Sequence, residues 1–363
     1  MLSYYAHHHG SGHCNYAQIF SKAFDYESVI FTSANFQFNP NVKIEKLASE
    51  DPDGTGTDQK FIPPPAYLHY SPVGQKTIQH RSAQILNRII REEVKLLIID
   101  VSAEIAALAR SASIPYSYVR LPGERNDPGH LQAFQGAVFL LAYFPEAFES
   151  SNTPAWVKEK TIYLGFFNRF SKINQIKSTN KNNYIKNVVV LSGKGGNKEL
   201  LKAIPRLQKR FHYSEINVYG AKENPAHTGN LSFRKSATNF LKTLYEADLI
   251  VANCGLNLTS EIIETEKPFL SIPEPRPFNE QEYMHAYLLR NKLALDLDFI
   301  EKHDDKTIQN KPVKNQRFIN QSAPELFRSW IEKYQYNPEK LRKNLSEIQT
   351  QLYQDEIKPN YHI

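Results

Sequence analysis

Short apolar runs of strand composition alternate with helix-periodic stretches along most of the chain, and this alternation constrains the fold more than any other feature. In the first half the runs are Leu2–Ala6, Ser28–Thr32, Lys95–Asp100 (KLLIID) and Pro115–Arg120 (PYSYVR). Between them the spacing predicts helices over Asn15–Phe24, Lys76–Glu92 and Ala103–Ala112. A second series has strands at Asn187–Leu191 (NVVVL), Glu215–Tyr219, Asp248–Ala252 and Pro268–Ile272. Its helices fall at Lys198–Arg210, Ala237–Glu246, Leu258–Thr265 and Glu280–Asn291. Strands that read as continuous apolar runs belong to parallel sheets covered on both faces. The expected fold is therefore α/β, with two Rossmann-like domains facing across a cleft and helices at the C-terminus.

With 363 residues there is room for two domains. The expected boundaries are 1–160, a linker at 161–186, a second domain at 187–335, and a helical tail at 336–363 that packs back on the first domain. Glu45–Lys60 (EKLASEDPDGTGTDQK) is polar and reads as a surface loop. The apolar fraction of 41% supports real cores.

Two cysteines, Cys14 and Cys254, make no disulfide framework and fit a reducing compartment. The longest apolar run, Ala137–Phe144, is too short to span a bilayer, and no signal-peptide pattern opens the chain. A soluble cytoplasmic protein is expected, with the inner face of the membrane open as its place of work. Leu140, Leu141, Tyr143 and Phe144, with Lys158 and Lys160 nearby, would either dock a lipid-linked partner or form a buried element. Net charge is +6. The densest basic stretch, Arg169–Lys186, is diluted by Asn and Ser, reads first as a solvated linker, and comes with no nucleic-acid motif. No nucleic-acid partner is expected.

The first apolar run leads straight into HHHGSGH, residues 7–13, which looks like the remnant of an affinity tag. A tag would not sit between a strand and its helix, however. Tyr16, Ile19, Phe20, Ala23 and Phe24 follow at helical spacing. The run is native, a glycine-rich turn of a β-α-β unit. His13, with an ordinary pKa near 6.5, can act as a general base there, or it merely caps the helix. Of His7, His8 and His9, strand alternation points at most two into a cleft. Three adjacent histidines match no standard zinc spacing, and no metal is expected.

The second series opens on Ser192-Gly193-Lys194-Gly195-Gly196. Glycines after a strand and before a helix allow close approach of a phosphate, or simply make a tight turn. Neither a P-loop nor the dinucleotide GxGxxG is present. Further on, a strand ends in Asn253-Cys254-Gly255, and a helix opens with Asn257, Leu258 and Thr259. Glu261 stands in its first turns, placed to accept both hydroxyls of a ribose, or only to complement the helix dipole.

Here the order of motifs resembles a known family. Gly255-x-Asn257-x-x-x-Glu261, then Lys267-Pro268-x-Leu270-x-Ile272-Pro273, then Glu280-Gln281, is similar to the donor half of GT-B glycosyltransferases. The similarity points to the family 28 branch that contains the peptidoglycan lipid-intermediate N-acetylglucosaminyltransferase. HGSGH resembles the first turn of that branch, and the resemblance spans roughly residues 1 to 290.

The resemblance implies an inverting transfer from a nucleotide diphosphate sugar, with uracil as the usual base and no cofactor or metal. It implies that Ser192, Gly193, Gly195 and Gly196 hold the diphosphate, and that Phe233 and Arg234 flank the base. Gly255, Asn257, Leu258 and Thr259 would meet phosphate through the helix amides, Glu261 the ribose, and Gln281 the sugar. His13 would stand by the acceptor hydroxyl, with His9, Gly10 and Gly12 on the acceptor side.

The acceptor half departs from the peptidoglycan enzyme, so the acceptor is left open among glycan, lipid-linked and small-molecule alcohols. Asp100 and Glu104 would align His13 or bind acceptor hydroxyls; alternatively Asp100 caps the next helix. Arg120 and Arg125 would meet an anionic acceptor, or Arg125 would pair with Asp127. His69 is a weaker acceptor-side candidate. A nucleotide-sugar epimerase or hydrolase on the same fold, or a non-catalytic nucleotide-sugar-binding protein, is the alternative.

Overall fold

The computed structural model describes residues 1–50, 62–170, 184–193, 196–221, 229–235, 237, 239–310 and 318–357, with side chains to 352. The first sheet is built from β1 (Leu2–Ala6), β2 (Val29–Thr32), β3 (Lys43–Lys46), β4 (Leu96–Asp100), β5 (Tyr116–Arg120), β6 (Leu140–Ala142) and β7 (Thr161–Tyr163). Its helices are α1 (Gly12–Ala23), α2 (Lys76–Arg91), α3 (Ala103–Ser111), α4 (Pro128–Gly136) and α5 (Ala155–Glu159). All its strand pairs are parallel, in the order β3-β2-β1-β4-β5-β6-β7.

The second sheet has β8 (Asn187–Leu191), β9 (Glu215–Tyr219), β10 (Leu231–Arg234), β11 (Leu249–Ala252) and β12 (Phe269–Ser271), parallel in the order β10-β9-β8-β11-β12. Its helices are α6 (Lys198–Arg210), α7 (Phe240–Glu246), α8 (Leu256–Glu264), α9 (Glu280–Arg290), α10 (Leu297–Lys302) and α11 (Asp305–Gln309). The chain ends in α12 (Ala323–Lys333), α13 (Pro338–Lys343) and α14 (Leu345–Ile357).

Local chemistry explains where several helices start. Ser102 caps α3 by accepting from the Ile105 amide at 3.2 Å, and Asp127 caps α4 with Pro128 in its first turn. The central strands β1 and β4 are buried at every residue, as expected of inner parallel strands.

The first sheet extends through Tyr163, into the stretch expected as a linker, and the rest of that stretch from 171 to 183 lies outside the described residues. Lys43–Lys46 forms an exposed edge strand that takes in Glu45 and Lys46, the first residues of the expected loop. Its K-I-E-K sequence carries no apolar run to signal a strand.

Helices α12 and α14 pack on the first domain. Phe327 meets Phe20 edge-on at 5.7 Å, and Gln349 donates to the Thr161 carbonyl at 2.8 Å. Phe20 is fully buried, in contact also with Tyr4 and Tyr143, so truncating it would cost about 3–5 kcal/mol. Leu140, Leu141, Tyr143 and Phe144 are core residues with no exposed surface, which removes them as a lipid-docking patch. Lys160 is buried as well, donating to the carbonyls of Phe134 and Gln135 at the end of α4. Among the described residues no helix is long and apolar enough to cross a membrane.

Candidate active site

In each sheet the strand order reverses beside the first strand: β1 sits between β2 and β4, and β8 between β9 and β11. Ligands in open parallel sheets bind outside the carboxyl ends of strands at such a reversal. Ala6 is in register with Asp100, and Leu191 with Ala252, so the turns that leave β1 and β4 emerge side by side, as do those leaving β8 and β11. Between them lies a cleft lined by Gly10, Gly12, His13 and Asp100 from one domain and Gly193, Gly255, Asn257 and Leu258 from the other. The cleft is open to solvent, with a cavity volume of about 210 Å3.

His13 lies in the first turn of α1, and its Nδ1 stands 2.9 Å from Asp100 Oδ1. The contact has ion-pair distance, but Oδ1 lacks a hydrogen bond of good geometry, so the attraction is chiefly electrostatic. The other carboxylate oxygen accepts the Tyr4 hydroxyl at 2.9 Å, and Tyr143 stands 3.1 Å behind Tyr4. Burial draws the His13 pKa down, but the Asp100 carboxylate and, more remotely, Glu280 outweigh it, and the net shift is upward from 6.5.

Since Ser102 caps α3, Asp100 is free to face the cleft rather than the helix. The residue after it, Val101, sits at φ +55°, a left-handed conformation that a β-branched side chain adopts at a cost. Backbone strain of this kind concentrates at functional sites. His7 is held far below its ordinary pKa, at about 2, by burial and by the neighbouring His13 and His8, so it is neutral. His9 and Gly10 are exposed at the tip of the turn, with Gly10 at φ +76°.

Across the cleft, α8 begins after Gly255 with no side-chain cap, which leaves its first amides turned toward the space. A Cβ on Gly12 would stand 3.6 Å from Asn257 Cβ, so the two turns nearly touch. Behind this wall, the hydroxyls of Ser192 and Thr259, which do not line the cleft, are buried without a hydrogen-bond partner among the described residues. Orphaned buried hydroxyls are what a bound phosphate or sugar would satisfy.

Asn253 donates to the Gly196 carbonyl at 3.2 Å and packs against Gly193, tying the two turns of the second sheet together. Lys194 and Gly195 lie outside the described residues. Gln281 lines the cleft and accepts from the amides of Cys254 and Glu274. Glu261 is buried, accepts from Asn257 at 3.1 Å, and pairs with Arg169 at 2.9 Å. Burial pushes its carboxyl up to about 7, against the pull of Arg169.

Other expected site residues fall elsewhere. Phe233 and Arg234 end the edge strand β10; Phe233 is half-buried against the second core, Arg234 donates to Asn217 at 3.0 Å, and neither lines this cleft. Glu104 is taken up by backbone amides of His69 and Tyr70, at 2.7 and 2.9 Å, and so clamps a loop instead of facing an acceptor. Arg120 is buried and bidentate on Glu149, at 2.7 and 2.9 Å, which removes it as an anion contact. Arg125 pairs with Glu280 of the second domain at 2.8 Å, not with Asp127 and not with an open anion site.

Among the described residues, two clusters bring metal-type donor atoms within 4.8 Å: His7, His8 and Glu50, and His69, Asp127 and His130. In both, the carboxylate is already engaged. Glu50 pairs with Arg81 at 2.7 Å, and Asp127 accepts from His69 and His130. Arg125 donates to His130 Nε2 at 3.3 Å, which leaves Nδ1–H as the donor to Asp127 and unavailable to a cation.

Sequence reasoning missed Tyr4 and Tyr143 behind Asp100, and Asn253, Arg276 and Glu280 in the cleft wall. Asn253 could have been found as the first polar residue after a buried strand. The tyrosines carry no such signal, because LSYYA and the run Ala137–Phe144 both read as apolar.

Residues 158–312 match the Glycosyl transferase family 1 domain. Over 173 residues, 45% of the chain, the sequence is 27% identical to a UDP-N-acetylglucosamine--N-acetylmuramyl-(pentapeptide) pyrophosphoryl-undecaprenol N-acetylglucosamine transferase of Prochlorococcus marinus (strain MIT 9312). The chain thus spans about half of that relative, 46% of its length. The fold is similar over 97% of the chain, and 94% of the other, to MurG of Acinetobacter baumannii, with TM-score 0.54 and 13% identity. It is also similar over 92% of the chain, and all of the other, to the UDP-GlcNAc 2-epimerase of Neisseria meningitidis bound to UDP-GlcNAc, with TM-score 0.60 and 10% identity. The chain accordingly has the GT-B fold, and residues 158–312 of it match the Glycosyl transferase family 1 domain.

Proposed function

We propose that this protein transfers a sugar, with inversion, from a nucleotide diphosphate donor to an acceptor hydroxyl, and that the donor is UDP-linked. The observation that carries the reading is His13, braced by Asp100, facing the uncapped start of α8 across the cleft. The donor diphosphate lies against the amides of α8 and of Ser192 and Gly193, with the Ser192 and Thr259 hydroxyls and the Arg276 guanidinium beside it. Glu261 turns from Arg169 to the ribose hydroxyls, and Gln281 meets the sugar.

The acceptor oxygen attacks the anomeric carbon as the bond from that carbon to the diphosphate oxygen breaks. Its proton passes to Nε2 of His13, the atom turned away from Asp100, and the Asp100 carboxylate stabilises the imidazolium that forms. Amides and dipoles fixed before the reaction take the charge on the leaving diphosphate, so no metal is required in this reading. The acceptor is a glycan, a lipid-linked alcohol or a small molecule.

The test is a thermal shift across UDP, GDP, TDP, ADP and their sugars, with and without divalent metal, followed by an acceptor screen. Selective stabilisation by UDP or a UDP-sugar, indifferent to metal, supports the reading. No response to any nucleotide would overturn it. Donor turnover without an acceptor would point instead to an epimerase or hydrolase, the activity named for one of the proteins of similar fold.

A further inference from the structure

The loop that follows β5 reaches across to the second domain and grips it with main chain as well as side chains. Gly123 sits at φ +103°, where a Cβ would run into the Phe278 carbonyl oxygen and stand 3.1 Å from Glu280 Cα. The next amide, of Glu124, donates to that carbonyl at 2.8 Å, and the Glu124 carboxylate accepts from Asn279 and Tyr283. Arg125 places its guanidinium over the Phe278 ring at 4.9 Å and pairs with Glu280 at 2.8 Å. The gripped turn is itself unusual: Phe278 and Asn279 both adopt left-handed backbone, at φ +62° and +53°. Two adjacent non-glycine residues in that region persist only where their surroundings hold them. Directly after them α9 opens with Glu280 and Gln281, both in the cleft wall.

Resting on the glycosyl-transfer reading, we infer that Arg125 is a positioning residue that couples closure of the two domains to the reaction centre, by holding Glu280 and the turn before it. The pair joins the two domains beside a second contact of α9 with the first, in which the Tyr287 hydroxyl donates to the Glu149 carbonyl at 2.9 Å and its ring meets Phe148 at 5.8 Å. Closure then brings the His13 turn to the donor held on α8. Arg125 touches neither reactant in this scheme; it acts through Glu280 and Phe278. Donor affinity, set within the second domain, is largely independent of it.

The experiment compares the full chain with Arg125→Met, Glu280→Gln, the double variant and Gly123→Ala. It uses small-angle scattering, UDP affinity, and steady-state kinetics on the acceptor found in the screen. Each single variant should enlarge the radius of gyration and lower kcat by about tenfold or more, with UDP affinity within a few-fold of the parent. The double variant should be no worse than the poorer single, as expected of two groups acting through one contact. Gly123→Ala opens the cleft without altering charge, and circular dichroism confirms that it is folded. Additive losses in the double variant, or unchanged scattering in a folded Gly123→Ala, overturn the proposal. If the parent consumes no nucleotide sugar, the transferase reading fails by itself, while the scattering of Arg125→Met and Gly123→Ala still decides the coupling.

Discussion

His13 and Asp100 meet at 2.9 Å although 87 positions separate them, because β1 and β4 are neighbours and Ala6 is in register with Asp100. The carboxylate is held from behind by the Tyr4 hydroxyl, which leaves its other oxygen for the imidazole. A base oriented this way should carry much of the rate. His13→Ala is expected to lower kcat by about 10²- to 10⁴-fold while UDP affinity, measured by calorimetry, changes little.

The pH dependence follows from the sign of the His13 shift. The net raised pKa means the neutral base predominates only at a pH above 6.5, so the acid limb of kcat/KM should lie above that value. Asp100→Asn removes the main raising influence and should move the limb down. Stability runs the other way: the paired imidazolium contributes fully below the unfolded pKa, and that contribution is lost as pH rises through the folded one. Profiles of rate and of Tm against pH separate the two effects.

Glu261 makes an opposite demand on the unliganded fold. With a folded pKa of about 7 against an ordinary 4.5, its contribution is fully present below 4.5 and is lost as pH rises through 7. Glu261→Gln should therefore stabilise the free protein at pH 8, by up to about 3 kcal/mol. The same variant should weaken UDP binding, and denaturation at pH 5 and 8 beside UDP titration checks both.

Thr259 carries a fully buried hydroxyl with no partner among the described residues. An orphan hydroxyl costs stability, so Thr259→Val should be neutral or stabilising by about 1 kcal/mol in the free protein. If the hydroxyl meets the donor, the same change should weaken UDP binding several-fold. Thermal denaturation with and without UDP reads both effects at once.

Arg120 belongs to the framework. Its guanidinium is bidentate on Glu149, which also accepts from Thr153 and Tyr163. Glu149→Ala leaves a buried charge unpaired and should cost about 3–5 kcal/mol, read from chemical denaturation, without changing UDP affinity.

The central strands of both sheets were legible because inner parallel strands must be apolar on both faces, as KLLIID and NVVVL are, and most of their covering helices repeat at 3.6 residues, whereas the short β6, β7 and β10 were not foreseen as strands. The edge strand Lys43–Lys46 was not, since an exposed edge needs no apolar run. The glycine turns after β1, β8 and β11 were legible for a related reason. A chain leaving a buried strand to face a ligand has few residue types that permit the turn.

The partner of each polar group could not be read, and that is where Arg120, Arg125 and Glu104 departed from expectation. A sequence places these three in loops near the cleft. Whether a charge stays open to a ligand or is consumed by a neighbour depends on Glu149, Glu280 and the amides of His69 and Tyr70, which other elements bring in.

The sequence by itself determined the α/β layers, the four turns that carry the cleft, and the presence of His13, Asp100 and Asn257 on them, with Gln281 at the start of the helix after β12. Tertiary structure alone decided that Asp100 faces His13, that Tyr4 stands behind it, that Arg169 covers Glu261, and that Arg125 reaches Glu280 across the cleft. Periodicity and turn chemistry are local and can be read along the chain. Charge pairing acts over a few ångströms between segments far apart in sequence, and only the packed fold sets those distances.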